Sequence, residues 1–319
     1  MTQAVPSAFT GATTGGGGEV ETLYSPIDLS NLPAPQAITE VSAEEELSAL
    51  LQQLGAIDPA FTNWLESDPA VKLCEAFAWR LAVEKQRRNE AIKAVMLAYA
   101  TGADLDQLGA NLNVKRLVLE PANPTTTPPT PAVMEGDDAF RARIQLSWEG
   151  YATAGSVGSY VFHAKSASAQ VADVQVTSPA PGEVTLYVLA ADGDGAAPQA
   201  LLDTVTQAVT AERVRPLTDL VQVLPAQVVP YQITAQLDLY PGPDAQVVLK
   251  SAQDALAAYC ASIRRIGYMV ATSGIYAALQ QGGVRNVTLQ GWGGDLTMGA
   301  GQVGYCTATT ITVAEAGGD

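Results

Sequence analysis

Residues 171–188 read VADVQVTSPAPGEVTLYV, and this stretch sets the fold class. Val171, Val174 and Val176, followed by Val184, Leu186 and Val188, recur as they do in half-buried strands, with side chains falling alternately on opposite faces. Ser178-Pro179-Ala180-Pro181-Gly182 between them is a turn, since proline and glycine punctuate regular structure. Upstream, Gly155, Ser156 and Val157 open a helix that runs through Ala167. Downstream, Leu201, Leu202, Val205 and Val209 fall at helical spacing, and Arg215-Pro216 stops the chain before a strand from Leu220 to Val223. Helix, strand, turn, strand, helix and strand in that order describe a small α+β unit.

A second cycle follows. A strand from Tyr231 to Leu239 leads through the turn Tyr240-Pro241-Gly242-Pro243 to a helix from Val247 to about Arg264. A shorter helix around Ile275 to Leu279 and strands at Val284–Leu289 and Cys306–Val313 complete it. The fold class is α+β: an extended arm, a helical N-terminal half with one long helix, then two small α+β units with short mixed or antiparallel sheets. The expected divisions are a Gly/Pro-rich arm over 1–40, a helical domain over 41–120, a proline-rich connector and helix over 121–154, and α+β domains over 155–228 and 229–319.

In the helical half, Ser42 precedes Glu44, Glu45 and Glu46, whose charges suit the positive end of a helix. Leu47, Leu50, Leu51 and Leu54 then follow at 3–4 spacing. Asp58-Pro59 and Asp68-Pro69 each carry a helix-start signal, an acceptor for free N–H groups before a residue that lacks one. The helix after Pro69 is expected to run to about Ala100. Leu73, Phe77, Leu81, Ile92, Val95 and Tyr99 continue one face of it, while Glu84, Lys85, Arg87, Arg88 and Glu90 crowd its middle. Two readings stand: packing within the chain with a solvated charged face, or a helix shared with other subunits. The interface candidates are therefore Leu73, Phe77, Leu81, Arg87, Arg88, Ile92, Val95 and Tyr99, joined by Trp292 in its Gly-rich loop. Pro121, Pro124, Pro128, Pro129 and Pro131 imply a stiff, extended connector, and Asp137-Asp138 a helix start after it.

Composition narrows the function. With 17 Lys and Arg against 33 Asp and Glu, the net charge of -16 argues against nucleic acid and against an anionic lipid surface, both of which recruit basic residues. The 71 residues before Lys72 carry no basic side chain, whereas ten of the 17 basic residues lie between Lys72 and Arg143. Residues 1–20 lack a signal-peptide pattern, and no apolar run is long enough to span a bilayer. Cys74, Cys260 and Cys306 are far apart in sequence and form no C-x-x-C pair, so neither a disulfide framework nor a zinc site is indicated.

Catalytic chemistry finds little support. His163 is the single histidine, flanked by Phe162 and Ala164 in a helix, and reads as a partly buried, hydrogen-bonded core residue. Gly15–Gly18 lacks the Lys-Ser/Thr and the helix of a phosphate loop. Asp192-Gly193-Asp194-Gly195 lacks the closing ligands of a calcium loop and reads as a turn. Gly299-Ala300-Gly301-Gln302-Val303-Gly304 matches G-x-G-x-x-G, but a strand follows it where dinucleotide binding needs a helix. No cofactor, metal or catalytic residue is assigned.

An ordered series of segments from Ser25 onward resembles the baseplate J family. It includes Ile27-Asp28-Leu29-Ser30, Leu32-Pro33-Ala34-Pro35, Asn89-Glu90-Ala91, Ala94-Val95-Met96-Leu97, Asp104-Leu105-Asp106 and Gly109-Ala110-Asn111. It continues through Pro128-Pro129-Thr130-Pro131-Ala132-Val133-Met134-Glu135, Ala154-Gly155-Ser156-Val157-Gly158, VADVQVTSP at 171–179, Val214-Arg215-Pro216, Leu239-Tyr240-Pro241-Gly242-Pro243 and Ile275-Tyr276-Ala277-Ala278-Leu279. The arm before Ser25 departs from the pattern.

The resemblance implies a non-enzymatic wedge subunit of a phage tail, a phage-tail-like bacteriocin or another contractile injection system. Two J-like chains and one protein I-like partner would form a three-armed unit, and wedges would close into a ring around the central spike. A sheath-initiating protein W and the hub would lie nearby. Synthesis in the host bacterial cytoplasm would precede incorporation into the particle. The competing readings are a tail-associated cell-wall-degrading enzyme, which needs two placed carboxylates, and a host-surface glycan-binding module, for which Trp292 is the candidate.

Overall fold

The computed structural model describes residues 27–314, apart from 30, 31, 34, 59–64, 153, 154 and 243. Most of the expected arm over 1–40, including Gly15–Gly18, and the helix start at Asp58-Pro59 lie outside the described residues. The chain divides into two compact units, one built mainly of residues 25–228 and the other mainly of residues 229–319.

The first unit opens with α1 (Ala43–Ile57) and α2 (Pro69–Ala94). Ser42 accepts from the Glu45 amide at 3.2 Å, and Glu44, Glu45 and Glu46 occupy the first turn, so side chain and charge both start α1 where the sequence places it. Helix α2 stops at Ala94, six residues short of the expected Ala100. The cause lies outside the helix. The Arg141 guanidinium donates to the Leu97 carbonyl at 2.7 Å and to the Ala100 carbonyl at 2.8 Å, holding residues 95–100 in turns instead of another helical turn. Helices α3 (Gly102–Asn111) and α4 (Asp137–Leu146) follow. Leu105, Phe140 and Ile144 are buried between them with Ala100 and Val114. Gly109 is obligatory at this crossing, because a Cβ there would lie 2.5 Å from the Phe140 ring and 2.8 Å from the Val114 carbonyl.

The proline-rich segment departs from the expected extended connector. It folds back as an antiparallel pair, β1 (Val118–Glu120) and β2 (Val133–Met134), with Asn123 bridged to Thr130 beyond it. Asn123 Oδ1 accepts from the Thr125 amide at 3.0 Å and Thr126 Oγ1 from the Thr130 amide at 3.0 Å, so side-chain oxygens take up amides within the proline-rich turn.

After α5 (Val157–Ala167) come β3 (Val171–Thr177), β4 (Glu183–Ala190), α6 (Gln199–Val209) and β5 (Leu220–Pro225). Their sheet has the order β3-β4-β5, and β4 and β5 are parallel, with Leu186 opposite Val223. A helical crossover is what permits that parallel pairing, and α6 provides it. Tyr160, Ala164, Leu186, Val188, Leu202, Val205 and Val209 are buried.

The second unit is built on β6 (Gln227–Leu239), α7 (Ala245–Ser262), α8 (Thr272–Leu279), β7 (Val284–Gln290) and β8 (Gln302–Val313). Its sheet is ordered β7-β6-β8. Strand β7 runs antiparallel to β6. Strand β8 runs in the same direction as β6: Thr307 bonds to Tyr231, Thr312 to Ala235, and the Ala314 amide to Leu237. Ile233, Ala235 and Leu237 form one core with Val248, Ala252 and Leu256 of α7 and Ile275 and Leu279 of α8. The turn at Asp192–Gly195 follows β4, and the G-x-G-x-x-G motif runs straight into β8. Both placements match the sequence reading.

Candidate assembly surface on the long helix

Helices α1 and α2 run antiparallel. Asn89 donates to the Thr39 carbonyl at 2.7 Å and accepts from the Thr39 amide at 3.2 Å, while Lys85 is paired with Glu46. The contact face of α2 is made of Val71, Ala78, Ala82 and Asn89, all buried. Small side chains at Ala78 and Ala82 leave the large apolar groups of the same helix pointing elsewhere. Leu73, Phe77 and Leu81, at i, i+4 and i+8, share a second face and are 59%, 56% and 41% exposed. Trp79 and Val83 are also exposed, at 67% and 36%, on a third side of the helix.

The expected interface residues therefore separate. Leu73, Phe77 and Leu81 form one outward stripe. Ile92 is half-buried, and Val95 and Tyr99 lie beyond the last helical residue, in the turns that Arg141 holds. Arg87 and Arg88 are exposed, and Arg87 reaches Glu84 at 3.0 Å, a surface pair worth about 0–1 kcal/mol. Trp79 was not among the sequence candidates. Its position on a helical wheel, about 160° from Phe77–Leu81 at 100° per residue, removed it from the stripe, although its size marked it for notice.

Trp292 belongs to the second unit's own packing. Its indole N–H donates to Thr272 at 3.0 Å, and its ring meets Tyr231 edge to face at a centroid distance of 6.0 Å. Half-buried and so engaged, it flanks the core.

His163 is half-buried on α5. Burial pushes its imidazole below its ordinary 6.5, with Arg213 acting in the same direction and a backbone hydrogen bond at Gly150 opposing. With the folded pKa below the unfolded one, the unfolded chain binds the extra proton between them. This contribution is present above about pH 6.5 and lost as pH falls through that window. Urea midpoints measured between pH 7.5 and 5 are expected to fall less steeply in His163→Gln than in the parent chain.

The root of the β1–β2 arm is fixed by an ionic knot centred on the buried Arg143–Glu135 pair. Glu135 takes two hydrogen bonds from Arg143, at 3.0 and 2.6 Å, and a third from the Leu117 amide at 3.1 Å. Arg116 donates to the Glu135 carbonyl at 2.6 Å and pairs with Asp106 and Asp137, each at 2.8 Å. The Phe140 ring lies 4.7 Å from the Arg116 guanidinium and 5.5 Å from that of Arg143. The Gly102 amide and the Arg116 guanidinium hold the Asp137 carboxyl below the usual carboxylate range. Among the described residues, no group of three or more His, Cys, Asp and Glu is placed to hold a metal ion, and no helix is long and apolar enough to cross a membrane.

Comparison with known proteins accounts for this layout. The baseplate J-like N-terminal domain matches residues 66–123, the baseplate J-like central domain residues 152–225, and the baseplate J-like protein C-terminal domain residues 231–314. Baseplate protein J of Escherichia phage P2 is 45% identical over 288 residues, covering 88% of this chain and 95% of its relative. The chain belongs to the baseplate J family. Helix α2 thus lies within the family's N-terminal domain, the sheet β3-β4-β5 within its central domain, and β7, β8 and the part of β6 from Tyr231 onward within its C-terminal domain. A solved structure titled as the anti-feeding prophage baseplate aligns with 83% of this baseplate J chain and 53% of its own chain, at 12% identity and a TM-score of 0.30.

Proposed function

We propose that this baseplate J family member is a wedge subunit of a contractile tail. In this reading it joins a second copy of itself and a protein I-like partner, and the wedges surround the central hub and spike. A sheath-initiating W-like protein lies close by. Assembly takes place in the host bacterial cytoplasm, and the chain then remains in the baseplate of the phage or tail-like particle. Junctions between its domains reorient when the sheath contracts, while each domain keeps its own packing.

The observation that carries the reading is the α2 surface. Leu73, Phe77 and Leu81 face outward on a helix whose small residues, Ala78 and Ala82, already make the contact with α1. Large apolar side chains in a row are unfavourable in water and supply the anchors of a helical interface when a partner covers them. Arg87, Arg88 and Glu90, exposed in the same helix, are available for charge pairing at its rim.

Co-expression with the neighbouring tail genes, followed by native mass measurement, tests this. The expected product holds two copies of this chain per protein I-like partner. Leu73→Ser with Phe77→Ser should abolish that complex and leave the thermal midpoint of the isolated chain nearly unchanged, because neither residue is buried. A parent chain that stays monomeric with every tail protein, or a double variant that assembles normally, would sink the proposal.

A further inference from the structure

Two of the three cysteines, far apart in sequence, meet in the second unit. Cys260 is near the end of α7 and Cys306 is on β8, and α7 packs against β8. Both are partly buried against the β6 core, and all three cysteines are free thiols. The Cys260 and Cys306 thiols and the Tyr231 hydroxyl of β6 are neighbours close enough to act on one another's ionisation. Cys306 also donates to the Ala308 carbonyl at 3.5 Å.

We propose that Cys260 and Cys306 are an oxidisable dithiol, a modification site at which a low-molecular-weight disulfide such as glutathione disulfide ties α7 covalently to β8. Cys260 is the attacking sulfur. The neighbouring Cys306 thiol, and after it the Tyr231 hydroxyl, favour its ionised form against the cost of burial, bringing its pKa down to about 7. The Cys260 thiolate attacks one sulfur of glutathione disulfide, forms a mixed disulfide and releases one glutathione thiolate. Cys306 then loses its proton and attacks the Cys260 sulfur, expelling the second glutathione. Two electrons and two protons pass from the pair to the oxidant. Because the two thiols are neighbours and α7 already packs on β8, the linkage is placed to form within the native unit. Cys74, on α2 in the other unit, has no part in it.

The full-length chain is incubated with glutathione disulfide at neutral pH, the remaining thiols are alkylated, and peptides are mapped by mass spectrometry. The expected product has lost two hydrogens, links the Cys260 peptide to the Cys306 peptide, keeps Cys74 alkylated and reverts with dithiothreitol. Cys306→Ser should stop at the glutathione adduct on Cys260. In Tyr231→Phe, one of the two groups that favour the Cys260 thiolate is lost while Cys306 remains, so the thiolate fraction at pH 7 falls. The higher nucleophilicity of the more basic thiolate offsets part of that, so the linkage should form up to about threefold more slowly at pH 7, and above about pH 9, where Cys260 is ionised in both chains, the variant should be the faster of the two. Full alkylation of Cys260 and Cys306 after oxidation of the parent chain, or glutathione adducts that never resolve into the linkage, would overturn the proposal.

Discussion

Arg143→Ala is expected to lower the unfolding free energy of the first unit by about 3–5 kcal/mol, the usual cost of removing one partner from a buried ion pair. The Arg143 and Glu135 side chains are only 5% and 8% exposed, so the Glu135 carboxylate cannot turn to bulk water when its partner is lost. Its remaining donor would be the Leu117 amide, and the Lys115 carbonyl, which takes a 2.6 Å bond from Arg143, would be left without that donor as well. Urea denaturation should show a lower midpoint at unchanged slope. Removing both charges is a different experiment. Arg143→Met with Glu135→Leu should recover much of the loss, since a buried pair recovers little beyond its own desolvation. A single variant within about 1 kcal/mol of the parent would show that water reaches this knot.

In the second unit, Leu237→Ala should cost about 2–5 kcal/mol, the sum of lost apolar burial and the cavity left behind. Leu237 is fully buried on the central strand β6, where neighbours on both sides and helices above restrict collapse. Leu239, two residues further along, is only half-buried and next to the irregularity between Asp238 and Leu239. Leu239→Ala should therefore cost less than half as much. Urea unfolding followed by tryptophan fluorescence, with Trp64, Trp79 and Trp148 replaced by Phe so that Trp292 alone reports on this core, compares the two. Equal losses would mean that the cavity term does not decide the outcome.

Much of the fold was legible because its signals are local. Val184, Leu186 and Val188 mark β4, Leu201, Leu202, Val205 and Val209 mark α6, and Ser42 with its three glutamates marks the start of α1. What escaped depends on distant residues. The end of α2 is set by Arg141, 44 residues beyond Leu97 in the chain. The β1–β2 arm was hidden because its prolines suppress any strand pattern, while its closure relies on Asn123, Thr126 and Thr130 and on the Arg143–Glu135 pair at its root.

The same limit governs the α2 surface. Spacing placed Leu73, Phe77 and Leu81 on one face, but periodicity cannot say which face turns inward. Ala78 and Ala82 decided that by allowing α1 to approach on their side. Likewise, one-dimensional spacing kept Cys260 and Cys306 apart, and only the pairing of β6 with β8 beneath α7 brings their sulfurs together.

The β1–β2 arm also bears on how such a chain can diversify. Every residue from Val118 to Met134 except Ala132 is exposed, and the arm's fixation to the first unit is concentrated at its root around Glu135. Insertions at Thr126–Thr127 are therefore insulated from the core, and the entropy of a longer loop rises only slowly with its length. The arm can grow, shrink or change its chemistry at little cost to folding, which makes it the part of this scaffold freest to be refitted to new neighbours while the charged knot and the two cores stay as they are.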